Sequence, residues 1–204
     1  KKFKYKEIED GYDSKVKDID DVDFVEKGIN ASIKEGAKRT NGIFESHVVS
    51  ENILTSKGVE YGEKGSELYF SIRSFFSKDE SGHMNHVGRV LKGFDIEKTG
   101  GESGRIAKDS KGVVNGRKGK YDILFSPLAF APILNSIGDS SSIFSVESGM
   151  SFFVDKIGKK VGSSKVNIFD DGRLKNGLAS SKADMEGVPT QRTGLIEKGI
   201  CKSY

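Results

Sequence analysis

Three histidines, one cysteine and a few clustered carboxylates are the side chains here best suited to chemistry, and their spacing decides how far each can go. His83 and His86 stand at i and i+3 in the run His83-Met84-Asn85-His86. On a strand that spacing sends two side chains to opposite faces. No Cys, Asp or Glu follows at ligand spacing, so metal binding is not expected there. His47 lies among apolar residues and reads as a packed or hydrogen-bonded histidine. Asp170-Asp171 has the composition of an acid/base pair. It also stands between an apolar run and Gly172, where such side chains cap a turn, and the structural role is the stronger expectation. Cys201 is the sole cysteine, in an apolar context where a thiol behaves as a small hydrophobe. Gly100-Gly101-Glu102-Ser103-Gly104 lacks the Lys-Ser/Thr of a phosphate-binding loop. No Gly-x-Ser-x-Gly elbow occurs, and the serine tracts at 140–142 and 179–181 read as loops.

Composition narrows the class. With 33 basic and 30 acidic residues the net charge is +3, and the two signs are interspersed. A nucleic-acid binder gathers its basic residues on one face, so direct nucleic-acid binding is not expected. No apolar run approaches the roughly 20 residues that span a bilayer, and the alternating charges of residues 1–23 have no apolar signal segment. A single cysteine excludes an internal disulfide framework and suits a reducing, cytoplasmic compartment. The chain starts at Lys1 without Met and ends within an apparent strand, which suggests a central section of a longer protein.

The elements follow from periodicity and punctuation. Residues 1–6 alternate as an edge strand does. Asp20 or Asp21 is a candidate N-cap for a helix from residue 22 to about 39, ended by Asn41-Gly42. Its expected apolar face is Val22, Val25, Ile29, Ile33 and Ala37. Strand-like alternation covers residues 43–49, 52–55 and 67–76, with a turn at Ser56-Lys57-Gly58 and a further strand at 83–91. Within residues 95–112, Gly100, Gly101 and Gly104 would each cost a helix about 1 kcal/mol against Ala. Tyr121 to Phe125 (YDILF) reads as a buried strand. Ser126-Pro127 then opens a helix with serine at the N-cap and proline at its first position. A polar loop at 140–145, a helix over about residues 149–161, a strand at 166–169 and a long ordered loop from 171 to 187 complete the series. Residues 192–196 and 200–204 pair as a hairpin around Glu197-Lys198-Gly199. Antiparallel strand meanders with interspersed helices make the fold class α+β. Residues 1–112 are expected to be part of an N-terminal α+β domain, and 113–204 the start of a β-rich C-terminal one.

Four pieces occur in a telling order: Lys156-Ile157-Gly158, Asp170-Asp171-Gly172, Asp184-Met185-Glu186-Gly187-Val188-Pro189-Thr190, and Leu195-Ile196-Glu197-Lys198-Gly199-Ile200. Together they resemble the signature region of the TldD/PmbA family, whose older name is modulator of DNA gyrase and whose active members resemble zinc peptidases. In TldD-type members the helix after the YDILF strand carries H-E-x-x-x-H, two zinc ligands with a glutamate that activates water. The resemblance puts Asn135, Ser136 and Ser140 at those positions, or Asp139 in place of Ser140 if the loop is one residue shorter. It therefore implies a PmbA/TldE-type member with no metal of its own. Such a subunit would complete the cavity of a zinc-bearing TldD-type partner, or of a self-dimer, in a peptidase acting on peptide substrates. The resemblance also places a helix over residues 95–112 and turns the segment around Asp184, Glu186 and Arg192 towards the cleft. Those residues either contact a peptide or the partner, or merely fix the loop, and both readings stand. Two other functions remain: a metallopeptidase with ligands outside these positions, or a non-enzymatic regulator that binds gyrase.

Overall fold

Period-two alternation from Glu60 to Phe75 puts Ser66, Leu68, Phe70, Ile72 and Ser74 on one buried face, and the first half of the chain is built on it. The computed structural model describes residues 3–204. Lys1 and Lys2, part of the expected first strand, lie outside the described residues, and residues 3–6 form no strand. The α+β class holds: helices pack with two antiparallel three-stranded sheets.

The first compact unit comprises Lys1–Lys120 and Leu174–Pro189. Strands β1 (Arg39–Leu54), β2 (Glu60–Phe75) and β3 (Ser81–Gly88) pair in that order, with β2 central. β1 and β2 stay in register from Arg39↔Phe75 to Leu54↔Glu60, so the expected breaks in this hairpin are absent. Helix α1 (Asp21–Lys34) starts where Asp20 accepts hydrogen bonds from the amides of Val22 and Asp23. It ends five residues earlier than expected, because Gly36 turns the chain at φ +111 and Arg39 already belongs to β1. The expected apolar face is also corrected. Val22 and Ile33 are exposed, and α1 instead buries Gly28 and Ser32, with Phe24 and Ile29 packed on the core.

The reason lies in α2 (Ile96–Asp109), whose glycines meet the α1 backbone directly. A Cβ on Gly100 would stand 2.0 Å from the Gly28 carbonyl oxygen, and one on Gly104 2.5 Å from that of Ser32. The glycines that weaken α2 as an isolated helix permit this approach. Between helices and sheet, Ser74 Oγ bonds Ser32 Oγ at 2.6 Å and Ser103 Oγ at 2.8 Å. The single Ser103 Oγ proton is shared between the carbonyls of Ile72 and Gly82, both at 3.1 Å. Among the described residues no buried side-chain nitrogen or oxygen lacks a hydrogen-bond partner. The apolar core around them is Val16, Leu68, Phe70, Ile72, Phe94 and Ile96.

The second unit comprises Tyr121–Arg173 and Thr190–Tyr204. Helices α3 (Pro127–Ser140) and α4 (Ile143–Glu147) precede β4 (Ile168–Asp171), β5 (Arg192–Glu197) and β6 (Ile200–Cys201). Ser126 caps α3 through the Ala129 amide, with Pro127 at the first position, as the sequence predicts. Four expectations fail here. YDILF forms no strand and Leu124 is fully exposed, because no neighbouring strand pairs with it among the described residues. The polar stretch 140–145 is largely helical, and residues 149–161 form turns in place of a helix, with positive φ at Gly149, Asp155 and Gly158. Asp170 and Asp171 lie in β4, so the turn begins two residues later than expected, at Gly172. The β5–β6 hairpin forms around Lys198-Gly199, both at positive φ, as a two-residue turn requires. Phe153, Ile196 and Cys201 are its buried centre.

Candidate functional site

Helix α3 presents different chemistry on different faces. Leu134, Gly138 and the following Ser141 line a cavity of about 630 Å³ within the second unit. Phe169, Asp170, Thr193 and Tyr204 stand among its other walls, so it has apolar sides and a few hydrogen-bonding groups. Asn135, Ser136 and Ser140 do not line it. Each bonds within its own helix: Asn135 Nδ2 donates to Asp139 Oδ2 at 3.0 Å, Ser136 Oγ to the Pro132 carbonyl at 3.0 Å, and Ser140 Oγ to the Ser136 carbonyl at 2.8 Å. An amide and two hydroxyls are poor zinc donors, and substituting Asp139 for Ser140 adds only one carboxylate. These residues do not fit a zinc site.

The other predicted residues fall into two groups. Asp184 and Glu186 belong to the first unit, Arg192 to the second. Asp184 Oδ1 accepts from the amides of Glu186 and Val188, both at 2.9 Å, and its own amide donates to the Val188 carbonyl. Asp184 therefore shapes the turn, while the Glu186 carboxylate stays exposed. Arg192 lies over the Phe169 ring at 4.1 Å, with Nε 3.5 Å from Asp171 Oδ2. Asp171 Oδ1 accepts from the Arg173 amide, the turn-capping role expected of it.

The histidines are dispersed. His47 is exposed and not packed, on the β1 stretch from His47 to Asn52 that is exposed throughout. His83 Nε2 bonds Ser71 Oγ at 3.0 Å, and His86 meets Phe94 edge-on. Among the described residues no three His, Cys, Asp or Glu side chains gather as a metal cluster. Cys201 is fully buried, and burial pushes its thiol pKa up. Sequence reasoning missed Arg89, a buried cation at the end of β3 that reaches the signature segment. Its only signal was an arginine inside an otherwise apolar Val87-to-Leu91 run.

Residues 118–204 match the family profile of the PmbA/TldA metallopeptidase C-terminal domain. An uncharacterized protein of Methanocaldococcus jannaschii is 30% identical over 98% of this chain and 48% of its own length. The chain belongs to the TldD/PmbA family. A second protein of that organism, named a metalloprotease, is 32% identical over 61% of this chain and 30% of its own length. The fold is that of TldE from Thermococcus kodakarensis, with a TM-score of 0.86 at 23% identity over 100% of this chain and 48% of that one. A Thermotoga maritima structure described as a candidate modulator of a DNA gyrase gives 0.90 at 22% identity, over 99% and 49%. The chain thus spans about half the length of the first of these relatives and of both structures. No helix among the described residues is long and apolar enough to cross a membrane.

Proposed function

We propose that this TldD/PmbA protein is a PmbA/TldE-type, non-catalytic subunit that joins a zinc-bearing TldD-type homologue and helps present peptides for cleavage in the cytoplasm. The supporting observation is the donor set on α3. Where the family resemblance puts two imidazoles and a carboxylate, the chain has Asn135, Ser136 and Ser140, each committed to its own helix. Hydrolysis at neutral pH needs an activated water, and no side chain at these positions can activate one. The fold around them is retained, which suits a subunit kept for binding. Asp184 and Glu186, on the first unit, are the residues assigned to the peptide, while Arg192, on the second, is held by Phe169 and Asp171.

The test combines elemental analysis with a reconstituted assay. Protein purified without a tag should hold far less than one zinc per chain. It should cleave unstructured peptides only when mixed with a TldD-type homologue, and lose that activity when the homologue's glutamate is replaced. Chelator-sensitive cleavage by this protein alone would overturn the proposal. No cleavage in either case would favour a binding-only regulator.

A further inference from the structure

Buried arginines are normally paired, yet Arg89 is 5% exposed with no carboxylate at ion-pair distance among the described residues. Its guanidinium is satisfied by main-chain carbonyls: Nε donates to Ser66 at 3.3 Å and NH1 to Ser180 at 2.5 Å. Its backbone amide donates to Asn176 Oδ1 at 2.6 Å, and its carbonyl accepts from Ser66 Oγ. Gly65 makes room for the group, since a Cβ there would stand 2.5 Å from NH2. One residue therefore ties β2 to two points of the segment 174–189, which arrives from the far side of the sequence.

We infer that Arg89 is the positioning residue that locks segment 174–189, with its Asp184–Val188 turn, onto the three-stranded unit. One main-chain bond, from the Asn176 amide to the Glu9 carbonyl at 3.0 Å, also holds the segment, and the remaining side-chain attachments are weaker by nature. Lys175 pairs with Glu9 and Asp10, and Lys182 with Glu7, all through exposed carboxylates or an exposed lysine that solvent screens. Tyr5 Oη donates to the Gly187 carbonyl at 2.8 Å and the Lys182 amide to Glu63 Oε2 at 2.9 Å. These orient the far end of the segment. The Arg89 knot is the attachment shielded from water, where charge-assisted hydrogen bonds are strongest. The consequence for peptides rests on the proposed function: Asp184 and Glu186 can meet a peptide reproducibly only if the segment is held.

The experiment is hydrogen exchange on the protein and its Arg89→Met, Arg89→Lys and Asn176→Ala variants. The amides of Asn176, Ser180, Lys182, Asp184 and Val188 are all bonded and report on the segment. In Arg89→Met they should exchange roughly ten- to hundredfold faster, while β2 amides keep their protection. Arg89→Lys should recover part of the protection, and Asn176→Ala should open the same amides to a smaller extent. Wild-type exchange of the segment in Arg89→Met would overturn the inference. So would equal loss over β2 and the segment, which would make Arg89 an ordinary core member. Should Arg89→Met fail to fold, Arg89→Lys decides: faster exchange of the segment with β2 still protected supports the lock, and wild-type exchange of the segment refutes it. With a TldD-type partner present, Arg89→Met should raise KM for peptide and leave kcat in place. A segment that opens without any change in KM would reject the peptide role of Asp184 and Glu186 and leave the lock standing.

Discussion

Tyr61 shows how one buried hydroxyl couples stability to pH. Tyr61 is 5% exposed, its ring meets that of Tyr5 at a tilt with centroids 4.9 Å apart, and its hydroxyl donates to the Glu63 carboxylate. Burial first, then the neighbouring carboxylate, raises its pKa from the ordinary 10.0. The folded state therefore keeps the proton where the unfolded chain releases it. The stability this contributes is present below about pH 10 and is lost as pH rises from there through the elevated folded value. Tyr61→Phe should cost about 1 kcal/mol at neutral pH, and the variant should lose less stability than the parent between about pH 9 and 11. Denaturant melts across that range measure both, and parallel slopes would contradict the account. At this scale the sequence was informative where local chemistry decides, as for Asp171 capping its turn or Ser126 capping α3. It was uninformative for His47 and Arg89, whose surroundings come from residues distant in the chain.

Among the elements, the α1–α2 pair gives the sharpest contrast between intrinsic preference and packing. Helix propensity alone makes Gly100→Ala favourable by about 1 kcal/mol. The native backbone leaves no room for it, with the Gly28 carbonyl 2.0 Å from the new Cβ. Gly100→Ala should therefore destabilise the protein by roughly 3 kcal/mol, whereas Gly101→Ala, whose Cβ would meet only Glu35 Cγ at 3.9 Å, should be neutral or stabilising. Thermal melts of the two variants compare the effects directly, and equal behaviour would reject the close-packing explanation. The same contact explains why the apolar face expected for α1 was wrong. A periodicity argument looks for large side chains, and here the buried stripe is built from Gly28 and Ser32. The β5–β6 hairpin was legible because turn residues act within a few positions, whereas the helix over 95–112 was expected only from the family resemblance. YDILF was misread because a strand is defined by its neighbour, and an apolar run does not show whether one is present.

Across the whole molecule, the chain passes between its two compact units at residues 120/121, 173/174 and 189/190. Two non-helical stretches accompany these passages and should behave oppositely towards a protease. Residues 113–120 are exposed throughout and form no helix or strand. Segment 174–189 is held by Arg89, by ion pairs at Lys175 and Lys182, and by an isolated bridge between Ala183 and Pro189. Limited trypsin digestion should cut at Arg117, Lys118 or Lys120 well before Lys175 or Lys182, as fragment masses over time would show; the reverse order would be incompatible with an anchored segment. The sequence by itself determined the family, the α+β class, the caps and turns, and the donor types at Asn135, Ser136 and Ser140, because these depend on residue identity and short spacing. Only the tertiary structure decided that Asp184 and Glu186 stand in a different unit from Arg192, that glycines carry the helix contact, and that a buried arginine holds the signature segment. Each of those depends on groups tens of residues apart in sequence, which side-chain packing and hydrogen bonding bring together and which no local pattern records.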